Sequence, residues 1–314
     1  MHSVKVKNLA ESINNMADKI RNLEIRGARN VAISAVKAIE NAATHTKAKT
    51  AEAFAEELLQ AKEVLYAARP TEPLMRNAIK WVIGSVESSQ KDEVKALVRL
   101  ISSSACEFLT NLERSRDRIA EVGSKRINNG TVVFTHCHSS TVTHLLTKAS
   151  KGMKTFRVIC TETRPLFQGR VTAREMLELG VETTLIIDSA TRCCIKQADL
   201  VIVGADALTA EGNVVNKIGT AAIALLAQEA RVPFYVVSEL LKFDPATLCG
   251  HYESIEERGR FEIWKGAPEN LVIHNPAFEV VRRDFIHGII CEEGIIPPHS
   301  VYETVVRKYP WVLM

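Results

Sequence analysis

The chain has 314 residues, 46% hydrophobic and 25% charged, and its 40 Lys and Arg against 37 Asp and Glu leave a formal charge of +3. That balance excludes disordered, collagen-like and coiled-coil classes, and it supplies no basic field for nucleic acid or a membrane surface. The length suits two domains with enough core to dispense with disulfides. The seven cysteines follow no framework spacing and no leader pattern precedes them, so a reducing, cytoplasmic setting is expected. No apolar run approaches the roughly 18 residues of a membrane span.

The first 120 or so residues read as helices. Val4, Leu9, Ile13, Met16 and Ile20 form an apolar stripe at helical period over 4–22, and Val31, Ala32, Ile33, Ala35, Val36 and Ile39 continue it over 28–47. An Ala-, Glu- and Leu-rich helix follows over 51–68, and then Pro70 and Pro73 interrupt the pattern. Two more helices are expected over about 74–88 and 92–122.

The texture changes at Asn128-Asn129-Gly130, a turn signal. Short β-branched runs follow at 131–136, 156–160, 183–188, 200–205, 234–237 and 271–274, with helical segments at 139–151, 172–180, 189–198 and 216–230. Apolar strands alternating with helices predict a parallel sheet covered on both faces. Thr172 and Glu175 read as a capping box at the start of one of these helices. The expected class is therefore α/β: a helical domain over 1–125, then a Rossmann-like catalytic domain over 126–314.

Ligands of such sheets collect at the C-terminal ends of the strands. After the first strand, Thr135-His136-Cys137-His138-Ser139-Ser140-Thr141 leads into a helix N-terminus, an arrangement suited to phosphate. The same field is expected to lower the thiol pKa of Cys137, making it a base or nucleophile. The plainer reading is a small buried hydrophobe. A metal site is not expected, because His136 and His138 of an extended segment point away from Cys137. Gly204-Ala205-Asp206 ends another strand and leads to Asn216-Lys217 at a helix start. Asp206 suits acid–base work, although taken alone it reads more readily as a capping or turn residue. A bound phosphate would accommodate Lys217 against the helix dipole.

A third segment, Thr161–Gly169, carries Arg164, either a phosphate clamp or an internal partner of Glu162. Arg26, Gly27, Ala28 and Arg29 between the first helices, Arg69 before the proline break, and Lys242 after the 234–237 strand are further candidates for an anion pocket. Each alone reads as a solvated charge. The dinucleotide fingerprint, the P-loop, the zinc-protease helix, the hydrolase elbow and C-x-x-C pairs are all absent. Cofactor-independent chemistry on a phosphorylated substrate is left, with neither cofactor nor metal expected.

The segments IRGAR (25–29), AARP (67–70), THCHSS (135–140), TETRPLFQG (161–169), VGAD (203–206), NKIGT (216–220), LKF (241–243) and GIIPP (294–298) span nearly the whole chain in order. Together they resemble the superfamily that joins the α, β and δ subunits of translation initiation factor 2B with sugar-phosphate aldose–ketose isomerases. The resemblance implies a helical domain followed by a Rossmann-like one. The pair Cys137 and Asp206 resembles the isomerase branches rather than the initiation-factor subunits. H-C-H-S-S and GIICEEGIIPP resemble the archaeal ribose-1,5-bisphosphate isomerases more than the methylthioribose-1-phosphate isomerases, which read H-C-N-[AT]-G.

By that resemblance Cys137 is the proton acceptor and Asp206 the donor. Arg26, Gly27, Ala28, Arg29, Arg69, Ser139, Ser140, Thr141, Asn216, Lys217 and Lys242 line the substrate site, with Arg164 and Gln168 from the superfamily loop. Arg29, Ser140 and Thr141 depart from the residues usual in relatives. The implied activity converts ribose 1,5-bisphosphate to ribulose 1,5-bisphosphate in AMP and nucleoside degradation. The resemblance also implies a homo-oligomer, a dimer or trimer of dimers, and allows a nucleotide effector such as AMP. A methylthioribose-1-phosphate isomerase and a non-catalytic regulatory subunit are the alternatives.

Overall fold

The computed structural model describes residues 9–89, 92–250 and 255–313. Val4 of the expected first stripe lies outside the described residues. The chain divides between Glu113 and Arg114 into a helical unit and a sheet unit.

The helical unit holds α1 (Leu9–Arg21), α2 (Ala28–Thr44), α3 (Ala51–Ala68), α4 (Pro73–Glu87) and the start of α5 (Val94–Ser124). Thr50 caps α3 by accepting the amide of Ala53, and Pro73 occupies the first turn of α4, where its missing N–H is harmless. Val31, Ala35, Val36 and Ile39 of α2 are buried, as are Leu74, Met75, Ile79 and Val82 of α4, the helix it packs against.

In the sheet unit, β1 (Val132–Thr135), β2 (Arg157–Thr161), β3 (Glu182–Ile186), β4 (Leu200–Val203), β7 (Phe234–Val237), β9 (Gly288–Cys291) and β10 (Gly294–Ile296) form one sheet in the order β10-β9-β7-β4-β1-β2-β3. All pairings are parallel except β9 with β10. Every residue of β1 and β4 is buried, as expected for strands covered on both faces. From β1 the chain runs outward through β2 to β3, then crosses to the other side of β1 for β4. The strand order thus reverses between β1 and β4, and the crevice at such a point is where open α/β sheets bind ligands. The covering helices include α6 (Ser140–Lys151), α7 (Gly169–Glu178), the single turn α8 (Thr191–Cys194), α9 (Thr220–Ala230) and α10 (Val301–Lys308).

Several expectations are corrected. The run 271–274 is not a strand: Val272 is 78% exposed, and Pro268 and Pro276 flank the segment. The start of the expected 216–230 helix is extended instead. There β5 (Ala207–Leu208), β6 (Val214–Lys217) and β8 (Phe278–Val281) build a small antiparallel sheet. The expected 189–198 helix breaks into α8 between two short 3-10 turns. Thr172 caps nothing, because α7 begins three residues earlier and the hydroxyl is used elsewhere. The division between units precedes the expected 125/126 boundary because Ile119 and Ala120, late in α5, are buried in the core of the sheet unit with Val133, Leu145 and Ile202.

Candidate active site

Cys137 follows β1 in a left-handed backbone conformation, φ 66°, unusual for a residue with a Cβ. Two threonines hold it there. Its N–H donates to Thr163 Oγ1 at 2.9 Å, and its carbonyl accepts from Thr172 Oγ1 of α7 at 2.9 Å. Thr163, fully buried, is itself left-handed at φ 61°. Both oxygens of Asp188, beyond the end of β3, accept from the loop that carries it: Thr163 N at 2.9 Å and Arg164 N at 2.7 Å.

A buried chain of hydrogen bonds continues from Thr163. Its hydroxyl lies 3.2 Å from that of Thr161, which lies 2.6 Å from His136 Nδ1, and His136 Nε2 lies 2.9 Å from the carbonyl of Ile218. Burial holds the His136 ring below the usual histidine pKa, hence neutral. The Ile218 carbonyl can only accept, so Nε2 carries the hydrogen and Nδ1 accepts from Thr161. The direction of every bond back to the Cys137 amide then follows. His138 turns to a different set, with Thr172 Oγ1 at 3.2 Å and Glu175 at 3.8 Å, so the two imidazoles do not converge on the sulfur.

Asp206 leaves the end of β4, the strand beside β1, and its amide donates to the Val215 carbonyl of β6 at 2.8 Å. The approach of the two loops demands a glycine: a Cβ on Gly204 would lie 2.7 Å from Ser139 Oγ. Ser139 caps α6 by accepting the amide of Val142, and Ser140 begins that helix. Beneath them Thr141 Oγ1 donates to Glu239 at 3.2 Å. Lys242 Nζ reaches Glu239 at 3.3 Å and the Ala205 carbonyl at 2.8 Å, all within the core.

Lys217, at the end of β6, is 7% exposed and lies 4.8 Å from the Phe278 ring centroid, without a carboxylate partner among the described residues. The N-terminus of α9, where a phosphate was expected, is occupied by the Glu279 side chain, which accepts from Gly219 N at 2.5 Å and Ala221 N at 3.0 Å. Asn216 donates to Thr220 Oγ1 at 3.1 Å. Arg164 donates to the Ile263 carbonyl at 3.0 Å and lies over Phe167, while Arg170, not Arg164, pairs with Glu162 at 2.8 Å. The side-chain oxygen of Gln168, at the start of α7, is buried without a hydrogen-bond partner among the described residues.

The remaining candidates belong to the helical unit. Gly27 caps α2 with φ 81°, followed by the buried Ala28. Arg26 is exposed and donates to the Leu23 carbonyl. Arg29 is buried on the Leu112 carbonyl at 3.0 Å and Glu113 at 2.5 Å, and Arg69 pairs with the buried Glu72 at 3.1 Å.

The electrostatics of Cys137 correct the sequence expectation. Burial outweighs every favourable field and pushes its thiol up to about 11, so that it rests protonated at neutral pH. Lys217 and the His138 amide pull the value down, and the carboxylates of Asp206 and Asp188 push it up. That list of influences ties Cys137, Asp206, Lys217 and Asp188 into one electrostatic cluster. Sequence reasoning missed His136, Thr161, Thr163, Thr172 and Asp188 as parts of this site. For all but Thr172, which lies within α7, the signal was position at or just beyond a strand end.

The sequence profile of the Initiation factor 2 subunit family matches residues 24–298. Among curated relatives, the ribose 1,5-bisphosphate isomerase of Archaeoglobus fulgidus is 41% identical over 95% of this chain and 94% of its own. That of Thermococcus kodakarensis is 39% identical over 95% of both. Among solved structures, the Pyrococcus horikoshii translation initiation factor eIF-2B superposes with a TM-score of 0.80 at 29% identity, over 92% of this chain and 98% of its own.

Proposed function

The chain belongs to the Initiation factor 2 subunit family, and from that premise we propose that it is a sugar-phosphate isomerase converting ribose 1,5-bisphosphate to ribulose 1,5-bisphosphate. The observation that carries the reading is the pairing of a thiol and a carboxyl at adjacent strand ends of the switch point, beside a buried lysine that makes no salt bridge among the described residues. A buried cation without a partner calls for an anion, and a phosphorylated substrate brings one. The archaeal relatives named for this activity support the same choice.

In the proposed chemistry, Asp206 gives a proton to the ring oxygen as the bond from C1 to that oxygen breaks, the electron pair leaving with the oxygen. Cys137, as thiolate, takes the C2 proton, and the C–H pair becomes the C1–C2 double bond of an enol bearing the 1-phosphate. The thiol then returns its proton to C1. The C2 hydroxyl gives its own proton to the Asp206 carboxylate, which leaves a ketone at C2 and both groups as they began. Lys217 favours the thiolate, and the unpartnered oxygen of Gln168 offers an acceptor to a sugar hydroxyl. Within the sheet unit, Arg164 and Lys242 complete the proposed phosphate-binding set, together with the polar groups of Ser139, Ser140, Thr141 and Asn216. The proposed setting is the cytoplasm, with the protein working as a homo-oligomer.

The test is incubation of the purified protein with ribose 1,5-bisphosphate, monitored for a ketose, with methylthioribose 1-phosphate in parallel. Conversion of the bisphosphate alone is expected, and Cys137→Ser and Asp206→Asn should each reduce turnover at least ~10²-fold. Turnover of neither sugar returns the chain to a regulatory role. Conversion of the methylthio sugar alone reassigns the substrate.

A further inference from the structure

A β-branched residue at positive φ is a backbone outlier, and such strain persists where the surroundings over-determine it. Thr163 is one, and it touches a second strained residue, Cys137, through a hydrogen bond. We propose that Thr163 is a positioning residue. Backed by Thr161 and His136, and joined by Thr172, it locks the Cys137 backbone in its left-handed conformation and so fixes where the thiol is presented. The proposal rests on the isomerase reading only for its kinetic consequence.

Three observations support it. The Cys137 amide and carbonyl are gripped from opposite sides, by a residue of the loop after β2 and by one of α7. The chain behind Thr163 is buried, with Thr161 and Thr163 fully so and His136 3% exposed. It ends on the carbonyl of Ile218, directly after Lys217, so one run of hydrogen bonds ties the thiol's segment to that of the cation that acts on it. Gly219 fits the same purpose, because a Cβ there would lie 3.0 Å from the His136 ring.

Thr163→Val keeps the shape and removes the acceptor, whereas Thr163→Ser keeps the hydroxyl. The valine variant is expected to lose ~10²-fold in kcat with KM changed less than about threefold, and the serine variant to stay within about threefold of the parent. Thr172→Val attacks the other grip and should show the same split if Thr163→Val does not fold. Independently of turnover, iodoacetamide labelling of the Cys137 peptide at pH 8 should accelerate about tenfold in both valine variants, as the loosened thiol gains water. Parental labelling together with parental kcat in the valine variants would overturn the proposal, as would a serine variant as impaired as valine. If the parent protein converts no sugar, the isomerase reading fails while the labelling still decides the positioning role.

Discussion

Lys242 Nζ donates to the carbonyl of Ala205 at 2.8 Å, so the residue preceding Asp206 is fastened to a buried ammonium group. The same nitrogen faces Glu239 at 3.3 Å, and Glu239 in turn accepts from Thr141 of α6. This lysine therefore joins the elements that carry the two proposed proton-transfer groups. Lys242→Met removes the ammonium that faces a buried carboxylate and should lower stability by about 3–5 kcal/mol in urea unfolding. Pairing it with Glu239→Gln should recover a large part of that loss, and strict additivity of the two would contradict the coupling.

Because Cys137 is held up at about 11, its thiolate fraction grows with pH throughout the neutral range. If the thiolate is the base, kcat/KM should still be rising at pH 9. Lys217→Met removes a charge that lowers this pKa and should move the rising limb to higher pH. Asp188→Asn removes one that raises it and should move the limb down. A plateau reached near neutrality in the parent protein would argue against a buried thiol as base.

Glu292 is buried, accepts from Leu240 N and Tyr309 Oη, and is pushed up to about 7 from an ordinary 4.5, chiefly by burial. A folded-state pKa above the unfolded one favours the protonated native state. Stability is therefore full below pH 4.5 and declines as pH rises through 7. Glu292→Gln removes that dependence and should be more stable than the parent by roughly 2–3 kcal/mol at pH 8, with no advantage near pH 4.5. Melting curves across that range check the sign.

Gly204→Ala would place a methyl 2.7 Å from Ser139 Oγ and 2.8 Å from Ser139 Cβ, so rotation of the serine cannot relieve the clash and the backbone of one segment must shift. A loss of about 1–3 kcal/mol is expected in chemical denaturation. Adding Ser139→Gly should restore part of it.

Much of the scaffold is visible in local pattern. The Thr50 cap and the prolines after Ala68 delimit α3 at 51–68, and the apolar runs of β1, β4 and β7 mark the sheet. What local pattern cannot carry is adjacency. Thr163 follows the strand next to β1 and Asp188 follows the strand after that, and only parallel register brings the first to Cys137 and the second to the first. Helix-dipole reasoning gave Cys137 the wrong sign because it weighed the field and omitted desolvation. The run at 271–274 looked like a strand because β-branched composition does not report whether a neighbour exists to pair with it.

The long helix α5 contributes to both compact units, and its last turns supply Ile119 and Ala120 to the interior of the second. Any attempt to dissect the polypeptide must respect this. A fragment cut at 125/126, where composition shifts, would expose an apolar seam over Leu145 and Ile202 and should precipitate, whereas one beginning at Arg114 keeps its hydrophobic complement. Limited proteolysis followed by sequencing of the resistant piece would reveal which cut the molecule itself tolerates.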